Sequence, residues 1–380
     1  MSGPLVPAAF LPRSTPAIRY DLSASDSETL SLAALMRLAD AEDRRNYQML
    51  NLSYAEPRGA LWLRAAVAAR HASLDADDVL CCAGAQEAVT CVMRALLDPG
   101  SHAVVVLPIY RPSEQAVTEL CATTGVPLDE VGWRLDIDRV AAALRPETRL
   151  VLANFPNSPT GASLDPDTLA ALVGLCRRHG LWLVIDEIYR QTDCGSGALV
   201  STAADLYERG VSINGLSKGF GLPGLRVGWV AARDRGLIER TLAAKSMLSS
   251  CVASISEVLA LVALKAERQI VEHTRQVGRR NQRRLQALID RVPEVSGTEP
   301  ITNLAFAFPR CLDRSGTDVF VATLAREAGL LLLPGSVWQS PLCRTPTDRV
   351  RIGLGHVSCG AALDALEAYL LGRERHVRVA

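Results

Sequence analysis

From about residue 78 onward, short apolar runs alternate with longer segments of helical period. Val79–Cys82, Ala103–Leu107, Leu150–Asn154, Leu181–Ile185, Val211–Asn214 and Val227–Ala231 read as strands, being short, apolar and bounded by turn residues. Between them, Gln86–Leu97, Pro112–Thr123 and Pro166–Arg178 carry apolar stripes at helical spacing. Strands that alternate with helices imply βαβ units and a mainly parallel sheet flanked by helices. Such sheets gather ligands at the carboxyl ends of their strands.

From about residue 235 the pattern lengthens. Segments 235–248, 251–266 and 268–291 predict helices. The last carries Arg275, Arg279, Arg280, Arg283, Arg284 and Arg291, which read as a solvated face. Strands over Leu304–Phe308, Leu330–Leu333 and Val350–Leu354, with helices over Val319–Glu327 and Ala361–Leu371, suggest a smaller α+β unit. The basic tail Arg373–Ala380 reads as frayed. Upstream, residues 1–20 are Pro-rich, aperiodic and read as an extended arm. Residues 21–28, D-L-S-A-S-D-S-E, are polar and acidic, and one reading makes them a helix N-cap for the apolar run Leu30–Leu38.

Composition narrows the function classes. The chain has 380 residues and a formal net charge of +0, which argues against a nucleic-acid binder. Residues 1–20 lack a basic-then-apolar leader, and no uninterrupted apolar run is long enough to span a bilayer. The ten cysteines are scattered without a C-x-x-C, and the six histidines show no ligand spacing. These features predict a cytoplasmic protein with reduced thiols and no metal site.

The stretch V-S-I-N-G-L-S-K-G-F-G-L-P-G-L-R-V-G-W-V at 211–230 carries the sharpest chemistry. Lys218 lies between two apolar runs, behind Ser217 and ahead of a Gly-rich loop ending in Arg226. That pattern suits a lysine that bonds an aldehyde while Ser217 and Arg226 hold a phosphate, as in a Schiff base with pyridoxal phosphate (PLP). Asp186 ends the apolar strand L-W-L-V-I-D, where a buried carboxylate needs a cation such as a protonated pyridine. Tyr189 could donate to the ring's phenolic oxygen. The small-residue turn at Gly84, Ala85 and Gln86 opens a helix whose free N–H groups suit a phosphate. Tyr110 follows a strand end, where its face could stack on a ring. In N-F-P-N-S-P-T-G at 154–161, Asn157 or Ser158 could meet the phenolic oxygen. In R-V-R-I-G, Arg349 and Arg351 share a strand face by alternation, and either offers a fork for a carboxylate.

Together D-E-I-Y at 186–189, S-K-x-x-x-x-x-G-x-R-x-G-W at 217–229, P-T-G at 159–161 and R-I-G at 351–353 resemble the class I/II aminotransferases, the fold-type I PLP enzymes. The resemblance spans about residues 50–370. It implies Lys218 as the cofactor-bearing residue, Asp186 at the pyridine nitrogen and Tyr189 at the phenolic oxygen. It puts Ser217, Arg226 and the 84–86 amides at the phosphate, Tyr110 against the ring and Arg351 at the substrate α-carboxylate. Tyr54 matches a tyrosine that reaches the phosphate of a neighbouring subunit, so a homodimer is expected. Two positions depart from the family pattern: Ser158 stands where asparagine is usual, and Gly215 replaces a phosphate-binding serine. The expected organisation is an arm and substrate-covering segment over 1–44, a large PLP-binding domain over 45–250 and a small C-terminal domain over 251–380.

Within the family, D-L-S-A-S-D-S-E-T-L-S-L, V-G-W-R-L-D-I-D and A-A-D-L-Y-E-R-G-V-S resemble the capreomycidine synthase branch, whose members cyclise hydroxylated arginine in antibiotic biosynthesis. That likeness implies β-elimination followed by re-addition of the guanidine nitrogen; ordinary transamination between an amino acid and a 2-oxo acid is the alternative. In both, Lys218 removes the Cα proton as general base. A guanidinium favours carboxylate partners, so Ser25, Asp26 and Glu28 are expected at the substrate. A PLP-binding regulator would need a DNA-binding domain, for which the sequence shows no room.

Overall fold

The structure is a computed structural model that describes residues 18–194, 201–292, 295–296 and 300–379, with 295–296 and 373–379 as backbone. Of the expected arm over 1–20, residues 1–17 lie outside the described residues. A seven-stranded sheet runs in the order Val79–Cys82, Gly228–Ala232, Gly210–Gly215, Trp182–Asp186, Thr148–Asn154, His102–Leu107, Ala122–Pro127. All neighbours from Gly210–Gly215 onward pair parallel, as expected. Gly228–Ala232 runs antiparallel to both its neighbours, because the connection from Gly215 carries a glycine-rich loop and a short 3-10 turn in place of a crossover helix.

Alternate strand residues feed two apolar layers, so both faces are covered. Val104, Val151 and Leu183 pack in one, and Val105, Leu152 and Val184 in the other. Each such side chain stabilises the sheet by about 1.5–3 kcal/mol on burial. The helix Pro166–His179 shows local and global signals agreeing: Asp165 caps Thr168 N–H, Pro166 fills the first turn, and Gly180 ends it at φ 63°.

The edge strand Ala122–Pro127 and the helix Ile137–Ala142 were not expected from the pattern. The first lies where Pro112–Thr123 reads as one helix; the observed helix is Arg111–Thr118. The C-terminal part is built on an antiparallel sheet of Phe306–Ala307, Val350–Gly353 and Leu333–Pro334, shorter strands than the pattern suggests. The final helix runs from Cys359 to Val379, correcting the frayed tail. Among the described residues no helix is long and apolar enough to cross a membrane.

Tyr20–Asp21 pairs parallel with Leu330–Leu331, and Leu22 is buried in the C-terminal core. The chain between there and the helix Leu32–Leu38 crosses the carboxyl edge of the large sheet. That helix is capped by Ser31, whose Oγ accepts from Ala34 N–H at 3.1 Å, so residues 21–28 are not its cap.

Candidate active site

Parallel register brings Asn154, Asp186 and Ile213 level at the carboxyl edge of the sheet. Asp186 ends its strand there, and its Oδ1 accepts from Ile188 N–H at 3.0 Å. Burial pushes its carboxyl up to about 6, against the opposing pull of the Ile188 amide and of Lys218. Asn154, which the sequence pattern did not single out, braces it: its Nδ2 donates to Asp186 C=O at 2.8 Å, while its Oδ1 accepts from Ser158 N–H at 2.8 Å.

Lys218 follows the strand Gly210–Gly215. Its Nζ lies 5.7 Å from the centre of the Tyr189 ring and donates to Ser25 Oγ at 2.9 Å. Tyr189 is buried edge-on against Phe306, with centroids 4.9 Å apart. Tyr110 is the residue before the helix Arg111–Thr118 and is half exposed.

The helix Ala85–Leu96 opens at Gly84, φ 93°, with no side-chain cap. Gly84 N–H itself donates to Cys82 C=O at 2.8 Å, so the amides open to an anion are those of Ala85 and Gln86. Arg226 crosses this opening. Its guanidinium lies 3.5 Å from Ser217 Oγ and 3.4 Å from Ala83 C=O, and a Cβ on Gly84 would stand 2.3 Å from its Nη2. Gly228 lets the neighbouring strand approach, since its Cβ would meet Ala85 N at 2.4 Å.

Asn157, one of the two candidates for the phenolic oxygen, is engaged within its own loop. Its Nδ2 donates to Pro108 C=O at 2.9 Å and Asn154 C=O at 3.2 Å, and its Oδ1 accepts from Thr160 Oγ1 at 2.7 Å. The side chain staples the 154–161 loop, and Ser158 is buried beside it.

The two arginines of the C-terminal strand separate clearly. Arg349 stacks 4.5 Å from Trp133 and donates to Phe308 C=O, a structural role among aromatic rings. Arg351 stacks 4.9 Å from Trp338 and donates to Ser23 C=O at 2.5 Å, but its buried Nε has no hydrogen-bond partner. Burial lowers its pKa, opposed first by Tyr189 and then by Asp26, Tyr110 and Asp21.

The segment 21–28 is fastened over these groups. Gly353 N–H donates to Leu22 C=O at 2.7 Å, Ser27 N–H to Lys218 C=O at 3.2 Å, and Glu28 N–H to Gly355 C=O at 2.7 Å. Three glycines permit the approach. A Cβ on Gly221 would stand 2.0 Å from Glu28 O, on Gly353 2.4 Å from Ala24 O, and on Gly355 2.0 Å from Asp26 O. Of the expected substrate-facing residues, only Ser25 meets Lys218 directly. Asp26 Oδ1 pairs with His356 Nε2 at 3.2 Å. Glu28 is turned away: its Oε2 accepts from Val357 N–H at 2.5 Å and lies 3.9 Å from His356 Nδ1. Tyr54 is 93% exposed, and Met49 and Leu52, shortly before it in sequence, are exposed as well.

These residues fit PLP. Asp186 is a buried carboxylate whose one opposing positive charge is Lys218, as a pyridinium partner requires. Ser217, Arg226 and the Ala85 and Gln86 amides form a cradle of donors for a phosphate. The buried Arg351 Nε, without a hydrogen-bond partner, is a donor of the kind that suits a carboxylate.

The comparisons agree. An arginine–pyruvate transaminase of Pseudomonas aeruginosa, AruH, is 39% identical over 190 residues, 47% of this chain and 48% of that protein. An aspartate aminotransferase of Geobacillus stearothermophilus is 29% identical over 79% of this chain and 76% of its own length. The structure of a PLP-dependent aminotransferase from Streptococcus suis superposes with a TM-score of 0.86 at 25% identity, covering 93% of each chain. That of a PLP-dependent cyclase, OrfR, superposes with a TM-score of 0.82 at 26% identity, covering 98% of this chain and 100% of that one. The family model for aminotransferase class I and II matches residues 19–364, so the chain belongs to that family and is a fold-type I, PLP-dependent enzyme.

Proposed function

We propose that this enzyme removes the Cα proton of an arginine-derived α-amino acid and cyclises it. In this reading the C–O bond to a β-hydroxyl breaks, a C–N bond from the guanidine forms at the same carbon, and one water is released without an oxo acid. Bound PLP supplies the electron sink that makes the Cα proton acidic. Arg351 binds the α-carboxylate with its free Nε edge, Asp186 holds the pyridine nitrogen protonated, and Ser158 and Tyr189 donate to the phenolic oxygen. Ser217, Arg226 and the Ala85 and Gln86 amides hold the phosphate, with Tyr110 against the ring. Lys218 takes the Cα proton and returns it after ring closure.

The observation that carries this reading is the cover. Residues 22–28 pass over Lys218 and Arg351: Ser25 Oγ accepts from the Lys218 amine, Ser23 C=O accepts from Arg351, and the Asp26 carboxylate acts electrostatically on both cations. A covered site keeps water from the unsaturated species, so that its own guanidine captures it. Asp26, though paired through Oδ1 with His356, adds negative charge near the amine that a guanidinium would meet. The full-length likeness to a PLP-dependent cyclase supports the outcome. Transamination of arginine is the second reading, favoured by the likeness to an arginine–pyruvate transaminase.

Mass spectrometry of β-hydroxyarginine incubated with the enzyme, with and without pyruvate, separates them. Loss of one water without an oxo acid is expected; a strict requirement for pyruvate, with alanine formed, refutes cyclisation. Lys218→Ala should lose the yellow protein-bound cofactor colour and turnover together. The functional unit in this reading is a homodimer, with Tyr54 reaching the neighbouring phosphate; a monomeric holoenzyme in sedimentation equilibrium would refute it.

A further inference from the structure

His356 belongs to the turn that follows the strand Val350–Gly353, and that turn is rigidly held. The buried Asn281, from the helix Glu267–Ile289, donates through its Nδ2 to both Leu354 C=O and His356 C=O, at 2.8 Å each. From this fixed base the His356 ring reaches Asp26 Oδ1 at 3.2 Å, with Glu28 Oε2 3.9 Å away on its other nitrogen. One residue before Asp26, Ser25 Oγ accepts from the Lys218 amine at 2.9 Å, and one residue after it, Ser27 N–H donates to Lys218 C=O at 3.2 Å. The ion pair therefore fastens the part of the covering segment that touches the reactive lysine.

We propose that His356 is a positioning residue: paired with Asp26, it holds the covering segment so that Ser25 Oγ meets the Lys218 amine, and it thereby sets how much of the time the site is closed while Lys218 moves the Cα proton. This rests on the reading of Lys218 as the proton-transferring residue.

The pair also gives closure a pH window. Charged groups on His356 are Asp26, Glu28 and Asp21; on Asp26 they are His356 and Lys218, and Arg351 is also within electrostatic reach of it. The helix Glu267–Ile289 contributes neutral Asn281. The hydrogen bond to Asp26 holds the His356 pKa above its usual range despite burial. Burial would raise Asp26, but His356 and Lys218 outweigh it and hold Asp26 low. The histidine's contribution is complete below its open-state pKa and is lost as pH rises through the raised closed-state value. That of Asp26 is complete above its open-state pKa and is lost as pH falls through the lowered one.

Hydrogen exchange read by mass spectrometry on the holoenzyme tests this without substrate. His356→Asn and Asp26→Asn should each raise exchange at the Ser27 and Glu28 amides about tenfold, the scale of a charged hydrogen bond, with the cofactor colour kept. Wild-type protection, corrected for intrinsic rate, should fall as pH rises through the histidine's pKa, and His356→Asn should abolish that dependence. Ser25→Ala should lower kcat with exchange unchanged. Unaltered exchange in both latch variants, or an unchanged pH dependence in His356→Asn, overturns the proposal. A failure of the function reading shows elsewhere, as colour and turnover retained in Lys218→Ala.

Discussion

Asp186→Asn should stabilise the cofactor-free protein and weaken the cofactor-loaded one. Burial moves the Asp186 carboxyl from 3.8 to about 6. That shift of roughly two pKa units corresponds to about 3 kcal/mol of destabilisation when the group is ionised in the fold. A raised carboxyl pKa costs nothing at pH values where the group is protonated in both states; the cost grows from about pH 4 and is complete above about pH 6. Asparagine removes the charge, and its oxygen can still accept from Ile188 N–H. Urea unfolding of the apo enzyme should therefore show a higher midpoint for the variant at pH 8, and little difference at pH 4. With PLP the order reverses, because asparagine cannot neutralise a pyridinium. The loss of a charged hydrogen bond should weaken cofactor binding about 10- to 100-fold in spectroscopic titration. An apo variant less stable than wild type at pH 8, or a difference independent of pH, would refute the reasoning.

Gly355→Ala puts a Cβ 2.0 Å from Asp26 O and must lift the covering segment. A shift on the order of 1 Å at Ser25 should lower kcat/KM about 100-fold in steady-state assays, with cofactor colour retained. Asn157→Ala leaves buried loop groups unpaired and should cost about 1–3 kcal/mol in chemical denaturation, while PLP affinity stays near wild type; a large loss of affinity would return Asn157 to the cofactor. Arg351→Lys loses the planar fork and should raise KM about tenfold or more, whereas Arg349→Lys should act mainly on stability, through its stack on Trp133.

Most of the large sheet was legible because its strands are apolar on both faces and each ends in a turn. Lys218 and Asp186 stood out because each is a charged residue at or just past the end of a strand-like run. The edge strand Ala122–Pro127 escaped because A-T-T-G-V-P has no apolar run and only one fully buried residue. Arg349 and Arg351 could not be told apart by alternation. What separates them is the distant aromatic side chain under each, Trp133 and Trp338. Asn157 and Ser158 differ only in loop hydrogen bonds closed by Pro108 and Thr160. His356 was invisible because its partner is 330 positions away in sequence.

The covering segment is tied down largely through peptide groups: Leu22 C=O, Ser27 N–H and Glu28 N–H on one side, against Gly353, Lys218 and Gly355 on the other. Such fastening is indifferent to which side chains the intervening residues carry. The peptide ties at 22, 27 and 28 therefore survive a change of side chain at 23–25, whereas the Asp26 side chain, through His356, belongs to the attachment itself.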